Sequence, residues 1–117
     1  MATRTQSEIV NRYFNAQARK DFDTIRTLVH DDVKFFGVLG TTDGVDDYIE
    51  GLEQTTAEMT KLERQVICVD GDEVCQVYEM TLAKPKVTLT VAQWLTVRDG
   101  KIATARVYFD PRPLMQG

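Results

Sequence analysis

The clearest pattern in the chain lies between residues 87 and 110, where apolar and polar side chains alternate as they do in a β-strand. The turn-forming segment Arg98-Asp99-Gly100 divides this stretch, which therefore predicts a long β-hairpin. One face of its first strand carries Val87, Leu89, Val91, Gln93, Leu95 and Val97, and the other carries Thr88, Thr90, Ala92, Trp94 and Thr96.

Gln93 is polar on a face that is otherwise apolar. Because a buried amide without a hydrogen-bond partner costs about 1–3 kcal/mol, this residue requires a partner. Two explanations are open: a backbone group or an ordered water supplies the partner, or this face lines a cavity whose ligand supplies it.

The register of this hairpin decides which side chains of its second strand face inward. With a three-residue loop and a left-handed Gly100, Gln93 lies opposite Ala105, and Arg106 lies on the outer face with Glu79 as an ion-pair partner. The inner face then carries Ala105, Val107 and Phe109. With a two-residue turn, Arg106 and Tyr108 face inward instead. We favour the three-residue loop because it keeps the inner face apolar.

Three helices are predicted upstream. A capping box at Thr5 and Glu8 opens the first, which runs to about Ala18. Its apolar side carries Ile9, Val10, Tyr13, Phe14 and Gln17. Asp21 caps a short second helix with the stripe Phe22, Ile25, Leu28 and Val29, and His30-Asp31-Asp32 ends it. A single histidine at a helix end is more often a capping residue than a catalyst.

The third helix is indicated by Val45, Tyr48, Ile49, Leu52, Thr56 and Met59. Strands are predicted at residues 33–39, 62–69 and 74–82, with a loop at 40–44 and a break at Lys84-Pro85-Lys86. Gly37 within a strand marks a bulge or a close approach to the backbone. We therefore expect an α+β fold in which three helices cover the concave face of a curved antiparallel sheet, with a cavity between them.

Composition indicates an ordinary globular protein. The chain has 117 residues, 43% hydrophobic and 27% charged, and is expected to form one domain, 1–117. Its net charge of −4 and the scattered basic residues argue against nucleic acid and membrane partners. The N-terminal residues lack the apolar run of a signal peptide, so we expect a cytoplasmic protein.

Cys68 and Cys75 flank a predicted turn, which places them opposite each other across a hairpin. In a reducing compartment they are expected to be free thiols. With one distant histidine they form no zinc site, and we predict no metal or other cofactor.

Five stretches carry a family resemblance: residues 10–14, 20–25, 31–33, 97–102 and 107–110. They resemble the nuclear transport factor 2-like superfamily, within it the SnoaL-like and ketosteroid isomerase-like branch. This resemblance implies a cone-shaped, cystatin-like fold. It implies no single reaction, because the superfamily includes isomerases, cyclases, epoxide hydrolases, binding domains and dimerisation modules.

The resemblance also locates the catalytic positions of ketosteroid isomerase in this sequence. The family's tyrosine falls on Tyr13, its protonated aspartate on Gln93, and its general base on Gly37, which has no side chain. Because a general base contributes about 10²–10⁴ in rate, steroid isomerase activity is not expected. Epoxide hydrolases need an Asp-Arg-Asp set, for which this chain offers Arg106, Glu79 and Asp110.

Two functions follow as hypotheses. In the first, an internal pocket binds a small, largely apolar molecule, with Tyr13 and Gln93 as polar anchors and walls formed by Phe35, Tyr78, Met80, Val91, Val107 and Phe109. Whether a reaction occurs there is left open. In the second, the domain is a non-catalytic interaction module with a filled interior. On the preceding strand, Gln76, Tyr78, Met80 and Leu82 are predicted to face inward, and no helix is left to cover the outer face. We therefore predict a homodimer through the outer face, around Trp94 and Tyr108.

Overall fold

The computed structural model describes residues 5–115 and shows an α+β fold, with a curved, open six-stranded sheet and its helices on one face. The helices are α1 (Gln6–Ala18), α2 (Phe22–Leu28), α3 (Val45–Thr56) and the short α4 (Arg112–Met115). The strands are β1 (Val29–Gly37), β2 (Gly40–Asp43), β3 (Met59–Asp70), β4 (Glu73–Leu82), β5 (Val87–Arg98) and β6 (Lys101–Tyr108). Their order in the sheet is β2-β1-β6-β5-β4-β3.

The helix starts follow the capping chemistry that the sequence predicts. Thr5 caps α1 by accepting a hydrogen bond from the Glu8 amide at 3.2 Å, and its hydroxyl donates to the Glu8 carboxylate at 3.0 Å. Asp21 caps α2 by accepting from the Thr24 amide at 3.2 Å and from the Thr24 hydroxyl at 2.6 Å. These bonds satisfy amides that have no partner within the first helical turn.

The strand boundaries differ from the predicted ones in four places, the first being that β1 ends at Gly37 and leaves Val38 and Leu39 in a turn. β1 begins at Val29, so His30, Asp31 and Asp32 belong to a strand and do not end a helix. Residues 40–43, predicted as loop, form β2 and pair with β1. Met59 opens β3, whereas the helical pattern had placed it in α3. In the last three cases pairing with a neighbouring strand outweighs a weak local preference, because strand formation depends mainly on its cross-strand partners.

The pairing of β1 with β6 is parallel, whereas all other strand pairs are antiparallel. Val29 lies opposite Ile102, and Phe35 lies opposite Ala105. This pairing joins the β1–β2 hairpin to the rest of the sheet.

The β5–β6 hairpin has a two-residue turn, so the predicted three-residue loop is wrong. Arg98 pairs with Lys101, and the turn residues Asp99 and Gly100 have φ angles of 53° and 78°, as a type I′ turn requires. The register then shifts at a β-bulge, where Ala103 is the extra residue between Ile102 and Thr104.

The bulge restores the side-chain orientation that the two-residue turn alone would have reversed. Gln93 lies opposite Val107, whereas the sequence had predicted Ala105. Ala105 is nonetheless buried, and Arg106 lies on the outer face opposite Trp94. The predicted orientation of β6 is thus confirmed, although the predicted register is wrong.

The core has two parts. The larger one packs α1, α2 and α3 against the strands and includes Tyr13, Val33, Tyr48, Leu95 and Ile102. The second cluster, as we call it from here on, contains the buried Phe14, Met59, Tyr78, Met80, Leu82, Leu89 and Val91, and the partly buried Leu62, Val87, Val107, Phe109 and Leu114. Within residues 5–115, no helix is long and apolar enough to cross a membrane.

Candidate functional site

A chain of hydrogen-bonded polar side chains runs through the interior. The hydroxyls of Tyr13, on α1, and Tyr48, on α3, are hydrogen-bonded to each other. The Gln76 side chain donates through Nε2 to Oε1 of Gln93 at 2.7 Å, and both amides are buried. The partner of Gln93 is therefore a side chain on the adjacent strand.

Arg64, on β3, continues this chain of polar groups. Its Nη1 donates to Oδ1 of Asn11 at 2.5 Å and approaches Oε1 of Gln76 at 3.5 Å. The guanidinium also lies over the ring of Phe14, with Cζ 5.3 Å from the ring centroid. We call Tyr13, Tyr48, Gln93, Gln76, Arg64 and Asn11 the polar network.

Burial holds the tyrosines of the interior in the neutral form. Burial raises the pKa of Tyr13, and hydrogen bonds to Tyr48 and Gln93 offset part of this rise. The pKa of Tyr48 is raised more strongly, again mainly by burial. Tyr78 is likewise buried, and its pKa is raised by desolvation and by Tyr13 and lowered by a hydrogen bond from Gln17. At neutral pH these phenols are hydrogen-bond donors and acceptors.

One buried amide atom of the interior has no partner. Gln17, at the end of α1, is only 3% exposed, yet its Oε1 has no hydrogen bond within the described residues. Its side chain lies beside the hydroxyl of Tyr78, a member of the second cluster. A buried acceptor without a partner is uncommon and requires an explanation such as a water or a ligand.

The structure brings together most of the predicted wall residues. The second cluster contains Tyr78, Met80, Val91, Val107 and Phe109, of which the last two are only partly buried. Phe35 lies apart from them, against the larger core, with its ring 5.8 Å from that of Tyr48. Tyr13, a member of the larger core, and Gln93 are both buried, and their hydrogen bonds are made within the polar network.

At Gly37 a neighbouring side chain comes close to the backbone, which is one of the two explanations considered for a glycine within this strand. A Cβ at this residue would lie 2.7 Å from Cζ of Phe35, which precedes it by two residues in the same strand. A side chain at this position would therefore collide with a phenyl ring unless that ring moved.

The three charged residues considered for epoxide hydrolysis do not converge. Arg106 lies on the outer face, with Cζ 4.1 Å from the centroid of the Trp94 ring, and makes no ion pair with Glu79. Asp110 is exposed and accepts hydrogen bonds from Arg112, which lower its pKa to about 2. The partly buried Arg64, rather than Arg106, contacts the buried Gln76.

The outer face of the sheet carries two rows of residues in register across neighbouring strands. The apolar row consists of Tyr108, Ala92, Val77 and Val66, one residue from each of β6, β5, β4 and β3. The tryptophan row consists of Phe36, Arg106, Trp94, Cys75 and Cys68. Trp94 is 38% exposed and donates through Nε1 to Oε1 of Glu73 at 2.6 Å.

Two open clefts lie at the β1–β2 end, away from the second cluster. One, of about 330 Å³, is lined by Lys34, Phe36, Thr41, Thr42, Asp43 and Asp47. The other, of about 480 Å³, is lined by Asp31, Asp43, Gly44, Val45, Asp46 and Asp47. The acidic residues Asp46 and Asp47 lie in the first turn of α3, where the helix dipole favours negative charge.

The architecture is that of a cone-shaped α+β domain with a polar network between its helices and its sheet. Residues 10–105 match the family model of the SnoaL-like domain. This chain belongs to that family, in agreement with the resemblance found from the sequence. A search of curated proteins returned no match.

Solved structures of the same fold come from varied sources. A nuclear transport factor 2-like protein of unknown function from Cytophaga hutchinsonii is 24% identical, with a TM-score of 0.86 over 99% of this chain and 100% of that one. An LEH-like epoxide hydrolase from M. tuberculosis is 23% identical, with a TM-score of 0.79 over 94% of this chain and 86% of that one. A de novo designed protein with a curved β-sheet is 20% identical, with a TM-score of 0.83 over 96% and 90%. At these identities the similarity establishes the fold alone.

Sequence reasoning missed one partly buried residue, Arg64, and one buried residue, Gln17. Arg64 was passed over because charged residues are rarely buried, although it follows Leu62 by two positions and so shares its face. Gln17 was assigned only to the apolar side of α1, but the reasoning applied to Gln93, that an amide among apolar residues needs a partner, applies to it equally.

Proposed function

We propose that this domain binds a small, uncharged and largely apolar molecule at the second cluster, between α1 and the inner face of β4, β5 and β6. The observation that carries the proposal is the unpartnered Oε1 of Gln17, 3% exposed and beside the hydroxyl of Tyr78. A ligand hydroxyl or N–H that donates to this oxygen would satisfy it, and the Tyr78 phenol is placed to take part in the same contact.

The surroundings of this acceptor support a ligand without charge. Tyr78, which lies beside this acceptor, belongs to the otherwise apolar second cluster, in which Val107 and Phe109 are only partly buried. Arg64, whose guanidinium lies over the Phe14 ring, already donates to Asn11 and Gln76. Tyr13 and Gln93 remain predicted anchors, but a ligand would have to exchange with Tyr48 and Gln76 to reach them.

The same residues favour binding over catalysis. The buried polar side chains in the described part of the chain are Gln17, Thr56, Gln76 and Gln93, together with tyrosines whose pKa values are raised. None of these groups is an ionised base at neutral pH, so proton abstraction of the isomerase type has no support.

The proposal can be tested with two probes that differ only in the donor. We expect 2-naphthol to bind more tightly than 2-methoxynaphthalene, by up to about tenfold, because a hydrogen bond to a neutral acceptor contributes about 0.5–1.5 kcal/mol. Isothermal titration calorimetry measures both affinities. Gln17→Leu should abolish the difference, whereas Gln54→Leu, on the exposed side of α3, should preserve it. The proposal would be contradicted if neither probe bound. It would also be contradicted if Gln17→Leu showed the same difference in affinity between the two probes as the wild type.

We propose as a second function that the domain forms a homodimer through its outer sheet face. The observation that favours it is the apolar row, in which Tyr108 is 50% and Val66 48% exposed without a helix to cover them. Aligned apolar side chains on an exposed sheet face are a typical feature of subunit interfaces.

Analytical ultracentrifugation tests the dimer. Val77→Glu places a charge in the middle of the apolar row and should convert a dimer to a monomer, because an unpaired charge is costly in an interface. Thr88→Glu, on the same face of β5 but outside the row, should leave the dimer intact. A wild-type protein that sediments as a monomer at high micromolar concentration would refute this function.

A further inference from the structure

Cys68 and Cys75 lie directly opposite each other on β3 and β4, near the tip of their hairpin. Both are exposed and both are free thiols. They point to the same face of the sheet, since directly paired residues of an antiparallel ladder share a face. Neither cysteine has a role in the polar network or in the second cluster, so their arrangement requires a separate account.

The register places the two cysteines within range of a disulfide. Directly opposed residues in an antiparallel pair have Cα atoms about 4.5–5.5 Å apart. Disulfides span Cα separations of about 4.4–6.8 Å, so the backbone already has a compatible spacing. The Cβ atoms of such pairs are about 4.5–5.5 Å apart, whereas a disulfide brings them to about 3.5–4.5 Å, so closure needs a small local twist of the hairpin.

We propose that Cys68 and Cys75 form a site of reversible oxidation, at which a peroxide converts the two thiols into a disulfide within the β3–β4 hairpin. One thiolate attacks a peroxide oxygen, which yields a sulfenic acid and releases water after protonation. The second thiol attacks the sulfenic sulfur, forms the S–S bond and releases a second water. Hydrogen peroxide is thereby reduced to two water molecules, and the two thiols lose two electrons and two protons in total.

The geometry favours a bond that is easily reduced again. A disulfide that requires a twist of its hairpin retains strain, and strained, exposed disulfides are more readily reduced than structural ones. The site therefore suits a reversible modification better than a permanent covalent link.

Trp94 provides a reporter of the modification, because it lies opposite Cys75 on β5 and is the one tryptophan of the chain. A disulfide quenches the fluorescence of a neighbouring indole, so closure should lower the emission of Trp94. Excess dithiothreitol should restore it.

The experiment treats the full chain with hydrogen peroxide and follows three quantities. Intact-mass spectrometry should show a monomeric chain lighter by two hydrogen atoms, maleimide labelling should fall from two thiols to none, and Trp94 emission should decrease. All three changes should be reversed by dithiothreitol. Disulfide-linked pairs of chains, or sulfinic acid without a disulfide, would overturn the proposal. The proposal would also fail if both thiols still reacted with maleimide under conditions in which the same peroxide oxidises a control thiol.

A matched variant tests whether the register matters. The double substitution Cys68→Ser/Val66→Cys keeps two thiols on the same face but moves one of them to a diagonal position, where such pairs are about 7–8 Å apart. It should not close, because disulfides are rarely formed beyond about 7 Å. Closure of this variant as readily as the wild type would show that direct opposition is irrelevant, and circular dichroism checks that both proteins are folded.

Discussion

Gln76 and Gln93 lie opposite each other on β4 and β5, and both direct their amides into the interior. Their hydrogen bond satisfies one group on each side chain, and a shift of one strand by one residue would turn its amide to the outer face and leave the other amide without this partner. The pair therefore contributes to the register of the sheet as well as to its stability.

Replacement of Gln93 by leucine should lower the free energy of unfolding. The substitution leaves the Gln76 Nε2 donor buried without its partner, which costs about 1–3 kcal/mol. Urea denaturation followed by circular dichroism measures the change. If Gln93 served only to bind a ligand, the variant would be as stable as the wild type or more stable.

The double variant Gln76→Leu/Gln93→Leu provides the control. Because it removes both members of the bond, its loss should be smaller than the sum of the two single losses, by about 0.5–3 kcal/mol. Additive losses would show that the two amides do not interact.

Gly37→Asp tests whether the Phe35 ring leaves room for a carboxylate at this position. The new Cβ would lie 2.7 Å from the Phe35 ring, so the ring must move and the variant should be less stable. We expect no isomerisation of 5-androstene-3,17-dione, because restoring a carboxylate does not restore the space around it. Measurable turnover, followed by the absorbance of the conjugated product, would contradict this expectation. Gly51→Asp, on α3 with open space around its Cα, controls for the added charge.

At the scale of elements, one extra residue in β6 determines which face its side chains occupy. The two-residue turn at Asp99 and Gly100 fixes which side chains at the start of β6 face inward, and the extra residue Ala103 shifts the pairing of the rest of the strand by one residue. Beyond the bulge, Arg106 faces outward over Trp94, and Val107 faces inward opposite Gln93. If Ala103 were instead paired in a regular ladder, the guanidinium of Arg106 would be directed into the apolar interior.

Deletion of Ala103 should be tolerated, because it removes the extra residue together with the bulge and leaves Thr104 opposite Thr96 and Arg106 opposite Trp94. Insertion of one alanine after Ala103 should cost much more, because it either turns Arg106 and Tyr108 inward, where an unpaired buried charge costs several kcal/mol, or enlarges the bulge. Thermal unfolding of the two variants gives the comparison. A deletion variant that is as unstable as the insertion variant would show that the bulge itself, and not only the register it sets, stabilises the hairpin.

Much of the fold was predictable from local patterns. The caps at Thr5 and Asp21 mark helix starts, and the alternation in β4 and β5 gives their faces, since both signals depend on neighbouring residues. β2 was not predictable, because Thr41 and Thr42 form a strand only through their pairing with β1. The bulge at Ala103 was equally hidden, because an alanine fits either face.

The candidate site was predictable in its orientation but not in its partners. The inward positions of Tyr13, Gln76 and Gln93 follow from periodicity. The bond between the two glutamines depends on the register of different strands, which periodicity within one strand does not determine. The same holds for Arg64, whose partner Asn11 lies on a helix.

At the scale of the whole molecule, three buried tyrosines link the stability of the fold to pH. Their pKa values are raised in the folded state, mainly by burial, whereas an unfolded chain ionises its tyrosines near pH 10. Their contribution to stability is therefore fully present below about pH 10 and is lost as the pH rises through the higher folded-state values.

We expect alkaline unfolding in which the tyrosinates of Tyr13, Tyr48 and Tyr78 appear together with the loss of helical and sheet structure. Ultraviolet absorbance of tyrosinate and far-ultraviolet circular dichroism, recorded on the same samples, should share one transition for these residues. Ionisation of all four tyrosines of the chain before any change in circular dichroism would show that the interior admits hydroxide without unfolding.

The position of β6 between β1 and β5 has a consequence for the order of events on the ribosome. β1 and β2 are synthesised early, but β6, which pairs with β1 in the sheet, ends only at Tyr108. Val29 therefore cannot pair until Ile102 has been made, more than seventy residues later. Until then the emerging β1–β2 hairpin has an open edge that other chains can join. Contacts this distant along the polypeptide slow folding, so we expect the nascent protein to depend on a holding chaperone until translation is nearly finished.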